Sequence, residues 1–198
     1  MPRQTPSQTI GPFFAYALTP KPYGRPGIAG NRLACEAAAG ERIRIEGRLL
    51  DGAGEPVTDA LLEIWQADSR GRYAHPADDR PEPPRDPAFR GFGRAGTDER
   101  GGFVFETVKP GPVPGRGNAL QAPHINLIVS ARGMLDHVFT RIYFSDETEA
   151  NETDSVLGMI EPARRGTLIA TRRESASGPV YRFDIHLQGD SETVFFDA

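Results

Sequence analysis

The chain has 198 residues, with 23 Lys plus Arg against 27 Asp plus Glu and a formal net charge of −4. That length suits one domain with a single sizeable core, and the lack of a basic excess argues against nucleic acid or anionic membrane surfaces as partners. A lone Cys35 forms neither an internal disulfide nor a thiolate metal cage, and MPRQTPSQTI at the start lacks the apolar core of a signal peptide, so a cytoplasmic setting is expected. No apolar run approaches the roughly 20 residues that span a bilayer.

Residues 1 to 41 carry Pro2, Pro6, Pro12, Pro20, Pro22 and Pro26 among Gly and Ala, which disfavours helix and predicts an extended arm lying on a partner surface. Residues 42 to 198 are then expected to form the body of the protein. In IRIEGRLL, Ile43 and Ile45 alternate with Arg44 and Glu46, the period of a half-buried strand. DGAGEP turns the chain, and LLEIWQAD (61 to 68) reads as a second strand. A long loop rich in Pro and Asp follows, then TDERGGFVFETV (97 to 108), a turn leading into a third.

HINLIVSA (124 to 131), HVFTRIYF (137 to 144), TLIATRRE (167 to 174) and VYRFDIHL (180 to 187) continue the series, the last alternating strictly. The only short helix expected lies in DSVLGMIEPARR (154 to 165), ended near Pro162. Many short strands with almost no helix predict an all-β fold, an antiparallel β-sandwich with an extended N-terminal arm.

Acidic residues abound in loops such as HPADDRPEP, where they read as solvated surface rather than as an acid–base pair. No Gly-rich phosphate loop or nucleophile elbow is present. His124, taken alone, is a structural histidine at the start of a strand as readily as a metal ligand. His124 and Asn126 stand two apart on one strand and so share a face, which is how a sheet presents neighbouring ligands. An Asn amide is a poor replacement for imidazole.

LLEIWQADSRGRY, FRGFGRAGTDERGGFVFETVKPG, APHINLIVSARG, RIYFSDE and VYRFDIHLQGDSETVFFD, in this order, resemble the intradiol ring-cleavage dioxygenases from about Thr5 to Asp197. The resemblance implies a mixed β-sandwich and a ferric ion held by two tyrosinates and two histidines, hard donors that suit Fe(III). It places those ligands at Pro81, Val113, His124 and Asn126, so a single imidazole of the four donors is kept. A substrate-stabilising arginine of catalytic chains is Gln121 here, which removes a fixed positive charge. Tyr73 matches a family tyrosine that is not a ligand, and Tyr143 and Tyr181 read as core or interface aromatics.

The implied role is that of a subunit which binds no metal itself, with Fe(III) carried by a partner β subunit in an αβ heterodimer or higher oligomer. By the same resemblance, Thr9, Gly11, Pro12, Phe13 and Arg132 wall the partner's pocket. Arg132 is the substrate-binding candidate, since a guanidinium grips an aromatic carboxylate by paired hydrogen bonds; an exposed strand-end arginine is the other reading. The implied reaction cleaves 3,4-dihydroxybenzoate with O2 to 3-carboxy-cis,cis-muconate, in aromatic catabolism (the β-ketoadipate pathway). Two alternatives stand beside it: a self-sufficient dioxygenase with unusual ligands, and a non-enzymatic sandwich that binds or scaffolds.

Overall fold

The computed structural model of the chain describes residues 14–117 and 119–197. Its strands are β1 (Arg42–Leu50), β2 (Leu61–Gln66), β3 (Phe92–Gly96), β4 (Gly102–Val108), β5 (Val113–Pro114), β6 (Leu120–Gln121), β7 (His124–Ser130), β8 (Val138–Phe144), β9 (Ile169–Arg173), β10 (Val180–Arg182) and β11 (Ile185–His186). Helices are short: α1 (Phe14–Leu18), α2 (Thr148–Thr153), α3 (Ser155–Met159), and 3-10 turns at Lys21–Tyr23 and Pro162–Leu168. The fold is all-β, as expected.

The long sheet runs β11-β1-β10-β9-β8-β7-β2-β3, with β4 pairing β1. Its two halves enclose one core, into which β1 sends Ile43, Ile45 and Leu49, β7 sends Ile125, Leu127 and Val129, and β4 sends Phe103 and Phe105. This inward set is the every-second-residue pattern of the sequence, so alternation positions the core directly. The β2–β3, β2–β7, β7–β8, β1–β4 and β9–β10 pairs are antiparallel, whereas β8–β9, β1–β10 and β1–β11 are parallel. A parallel neighbour needs a long crossover, and α2, α3 and the turn at Pro162–Leu168 supply it between β8 and β9.

Three expectations are corrected. β3 lies in a stretch expected to be loop, because its FGRAG is too poor in apolar residues to announce a strand, yet it pairs along the whole of β2. The helical region contains two α-helices and a 3-10 turn instead of one helix, and Pro162 opens that turn instead of closing the helix. Proline at a first helical position costs no hydrogen bond. The strand expected over 180–187 divides into β10 and β11, although Tyr181, Phe183 and Ile185 are buried together as the alternation predicts. The division is made at Gly47, where a β-carbon would sit 1.7 Å from the Phe183 carbonyl oxygen. Only glycine admits that approach, and Asp184 there accepts a hydrogen bond from the Arg48 amide at 2.8 Å.

From Asn31 onward the N-terminal segment is stitched to the body. The Leu33 amide bonds the Glu106 carbonyl at 3.0 Å, and Leu33 and Ala38 join the core. Among the described residues, no helix is long and apolar enough to cross a membrane.

Candidate functional site

The face of β7 and β8 turned away from the main core carries a second, smaller cluster: Ala122, Tyr143, Leu157, Leu168 and Val194. The crossover helices cover it. On this face lie His124 and Asn126, two apart as the strand period requires, and across the ladders Asn126 faces Trp65 of β2 on one side and Arg141 of β8 on the other. Gln121, paired in the short β5–β6 ladder with Val113, accepts a hydrogen bond from Arg141 Nη1 at 2.7 Å. The family's site positions 113, 121, 124 and 126 are therefore gathered in one place.

The remaining wall comes from the long loop between β2 and β3. Asp68 shapes its start by accepting hydrogen bonds from the Arg70 and Arg72 amides at 2.9 Å and from the Asp86 amide at 3.0 Å. Buried Arg72 then holds the loop from within, donating to the carbonyls of Asp78 and Arg80. Asp78 accepts from the Tyr73 amide at 2.9 Å and pairs with Arg80 at 2.6 Å. The Arg80 hydrogen bond is the main reason the Asp78 carboxyl is held down at about 2. The result is a cleft of about 440 Å³ lined by Trp65, Tyr73, Asp78, Arg80 and Val113, with the Trp65 and Tyr73 rings stacked at 5.9 Å. Pro81, next along the loop, is exposed.

His124 is buried, and its Nδ1 lies 2.8 Å from the Ala122 carbonyl oxygen. Burial, aided by the nearby Arg141 charge, lowers its pKa to about 4, so the ring is neutral at pH 7. Burial raises the Tyr73 phenol, against the lowering influence of the nearby Arg141 charge and Asn126 amide. Burial also pushes the Tyr143 phenol up, and Tyr143 Oη donates to Asp154 Oδ1 at 3.2 Å. Tyr143 and Tyr181 are core tyrosines, each with its hydroxyl on an aspartate, Asp154 and Asp146 respectively.

This donor set does not fit a ferric ion. Proline and the Val113 side chain offer no lone pair, Asn126 offers only a neutral amide, and the Arg141 charge lies near the one imidazole. Among the described residues, no group of three or more His, Cys, Asp or Glu is placed to hold a metal ion.

Arg132 is elsewhere. It follows the far end of β7, and the strand from His124 to Ser130 alone separates them by about 20 Å. Its Nε is 2.8 Å from Asp59 Oδ2, and the side chain is 65% exposed. Thr9, Gly11, Pro12 and Phe13 lie outside the described residues. Sequence reasoning missed Arg141 and Asp154. The signal for Arg141 was a charged residue inside the otherwise apolar FTRIYF; Asp154, at the start of DSVLGM, carried the signature of a helix N-cap.

The strand-built fold is shared with solved dioxygenases, and the chain belongs to the dioxygenase family, of the intradiol class: residues 11–189 match the family model described as Dioxygenase. Among curated proteins it is similar to the protocatechuate 3,4-dioxygenase alpha chain of Burkholderia cepacia, 46% identical over 99% of this chain and 98% of that one. It is also similar to the beta chain of the same name from that organism, 37% identical over 78% of this chain and 67% of the relative. Among solved structures, the dioxygenase domain of a carbohydrate-binding fusion from Streptomyces sp. SirexAA-E matches with a TM-score of 0.62 and 26% identity, covering 94% and 99% of the two chains.

Proposed function

We propose that this chain is the non-iron-binding α-type subunit of a protocatechuate 3,4-dioxygenase, working beside an iron-bearing β chain. The observation that carries the reading is the end-to-end likeness to an α chain, at 46% identity and 98% of its length, where the likeness to a β chain reaches 37% and 67%. The loss of donors at positions 81, 113 and 126 supports the further point that the metal belongs to the partner.

In this reading the ring-opening chemistry takes place in the partner's pocket, where both atoms of O2 enter between the hydroxyl-bearing carbons of 3,4-dihydroxybenzoate. The contribution of this chain is shape and charge. Arg132 meets the substrate carboxylate, a role favoured by its exposure and by its distance from the chain's own pocket. Thr9, Gly11, Pro12 and Phe13 close the wall of that pocket. Residues 1 to 41 supply the arm that reaches the partner, anchored to the body from Asn31 onward, and residues 42 to 198 form the dioxygenase-like body. Leu135, exposed three residues beyond Arg132, supplies apolar surface at the same end. A stable pairing of this kind buries more than about 2,000 Å² in total.

The test is iron content, visible absorbance and oxygen uptake with protocatechuate for the chain purified alone and after co-expression with its β partner. The expected result is a colourless, inactive chain that becomes part of a coloured, active complex with about one iron per αβ pair. Iron and activity in the lone chain, or no association with the β chain, overturns the proposal.

A further inference from the structure

The positive charge that Gln121 no longer supplies has not left the pocket. It returns from the neighbouring strand as Arg141. The β7–β8 register puts Arg141 directly opposite Asn126, and its Nη1 reaches Gln121 Oε1 at 2.7 Å and Tyr143 Oη at 3.4 Å. Both of these partners are neutral, Arg141 takes part in none of the ion pairs found among the described residues, and the Asp154 carboxylate stands one hydroxyl away, accepting from Tyr143 Oη at 3.2 Å. One guanidinium thus adjoins positions 121 and 126 and the ring neighbouring His124, which stacks obliquely on Tyr143 at 5.7 Å.

We propose that Arg141 is the cation of this pocket: its guanidinium takes the place in the polar cluster that a metal ion holds in metal-bearing relatives, satisfying Gln121 and Tyr143 and repelling any metal ion from His124 and position 126. The proposal rests on the assignment of positions 81, 113, 124 and 126 by family resemblance. A guanidinium stays protonated at every pH a protein survives, so the charge is permanent, and its planar donors bond several neutral acceptors at once. Loss of the ligands is then only half of the reason the pocket refuses metal. The other half is a resident positive charge, and restoring donors alone does not reopen the site.

The full chain carrying Asn126→His gains a second imidazole on the face that carries His124, a spacing that suits Ni²⁺ or Zn²⁺. Calorimetric titration of Ni²⁺ into N126H, N126H/R141Q and N126H/R141K separates the two causes. The expected result is at least tenfold tighter nickel binding by N126H/R141Q than by N126H, with N126H/R141K remaining as weak as N126H because the charge is retained. If Arg141→Gln does not fold, as judged by circular dichroism, Arg141→Met replaces it, since it keeps an unbranched stem and removes the charge. Equal affinity of the charged and uncharged backgrounds, including no binding in either, overturns the proposal. The readout is nickel on the chain without a partner, so that outcome leaves the α-type subunit reading intact, whereas iron in the unmodified lone chain breaks that reading and this proposal with it.

Discussion

The two ends of β7 are built from the same strand and have opposite characters. At its start, His124 is buried and Asn126 half-buried, beside a polar network of Gln121, Arg141 and Tyr143. Beyond its finish, Arg132 stands in solvent with a single aspartate beside it and Leu135 exposed nearby. A pocket without metal donors is free to be consolidated as structure, and here Gln121, Arg141 and Tyr143 satisfy one another. A surface that must meet another molecule stays open and costs the fold little. The comparison teaches that, in this chain, the polar cluster that resembles an active site is satisfied from within, while the exposed arginine that resembles ordinary surface is the residue we propose meets the substrate.

The strongest way to break this comparison is at Asp154. Its carboxylate is buried and accepts hydrogen bonds from the Ala122 amide at 2.8 Å, from the Val156 and Leu157 amides at 2.9 Å, and from Tyr143 Oη. It therefore caps α3 and ties that helix to the strand that leads into β7. Asp154→Ala leaves those donors without a partner and is expected to cost about 3 to 4 kcal/mol in urea denaturation. A loss below about 1 kcal/mol would mean that the covered end of β7 is not the rigid part.

The opposite signature is expected of Arg132→Ala. Stability should move by less than about 0.5 kcal/mol, since the residue is exposed and its ion pair is a surface pair. In the αβ complex, KM for 3,4-dihydroxybenzoate should rise by roughly tenfold to a hundredfold, the worth of a hydrogen-bonded contact between charged groups. Arg132→Lys should recover only part of it, because an ammonium cannot make the paired contact. An unchanged KM assigns Arg132 to plain surface.

How far all this was legible in the sequence depends on the range of the interactions involved. Period-two alternation is local, so the inward faces of β1 and β7 and the shared face of His124 and Asn126 could be read from the chain. The pairing of Asn126 with Arg141 is a matter of register between β7 and β8, and nothing in either segment announces it. β3 was invisible because its partner, not its composition, makes it a strand. The division of VYRFDIHL at Phe183 likewise depends on a glycine far away in sequence, Gly47. Proline, valine and asparagine at family ligand positions were legible at once, since absence of a donor needs no geometry.

A smaller effect sharpens the covered end. The His124 ring has a pKa lowered from 6.5 to about 4, first by burial and then by Arg141. Between those values the unfolded chain binds more protons than the folded one, so stability is full above pH 6.5 and is lost as pH falls toward 4. Between pH 7 and 5.5 this one residue should account for a loss of about 1 kcal/mol. His124→Gln should flatten that part of the pH profile in thermal melts; an unaltered slope means the ring is not held neutral.

The smallest expected effect tests whether the open end of β7 has any internal support. Asp59 contacts Arg132 Nε at 2.8 Å and is itself partly exposed. If the carboxylate merely competes with substrate for the guanidinium, Asp59→Ala leaves stability within about 0.5 kcal/mol and lowers KM by less than about threefold, because a solvent-screened pair holds the arginine only weakly. If instead it aims the guanidinium, KM rises in Asp59→Ala, and the double variant with Arg132→Ala is no worse than Arg132→Ala alone. A rise of that kind would show that the open end, like the covered one, is positioned by its own chain, and would narrow the contrast between the two ends of the strand to a difference in burial alone.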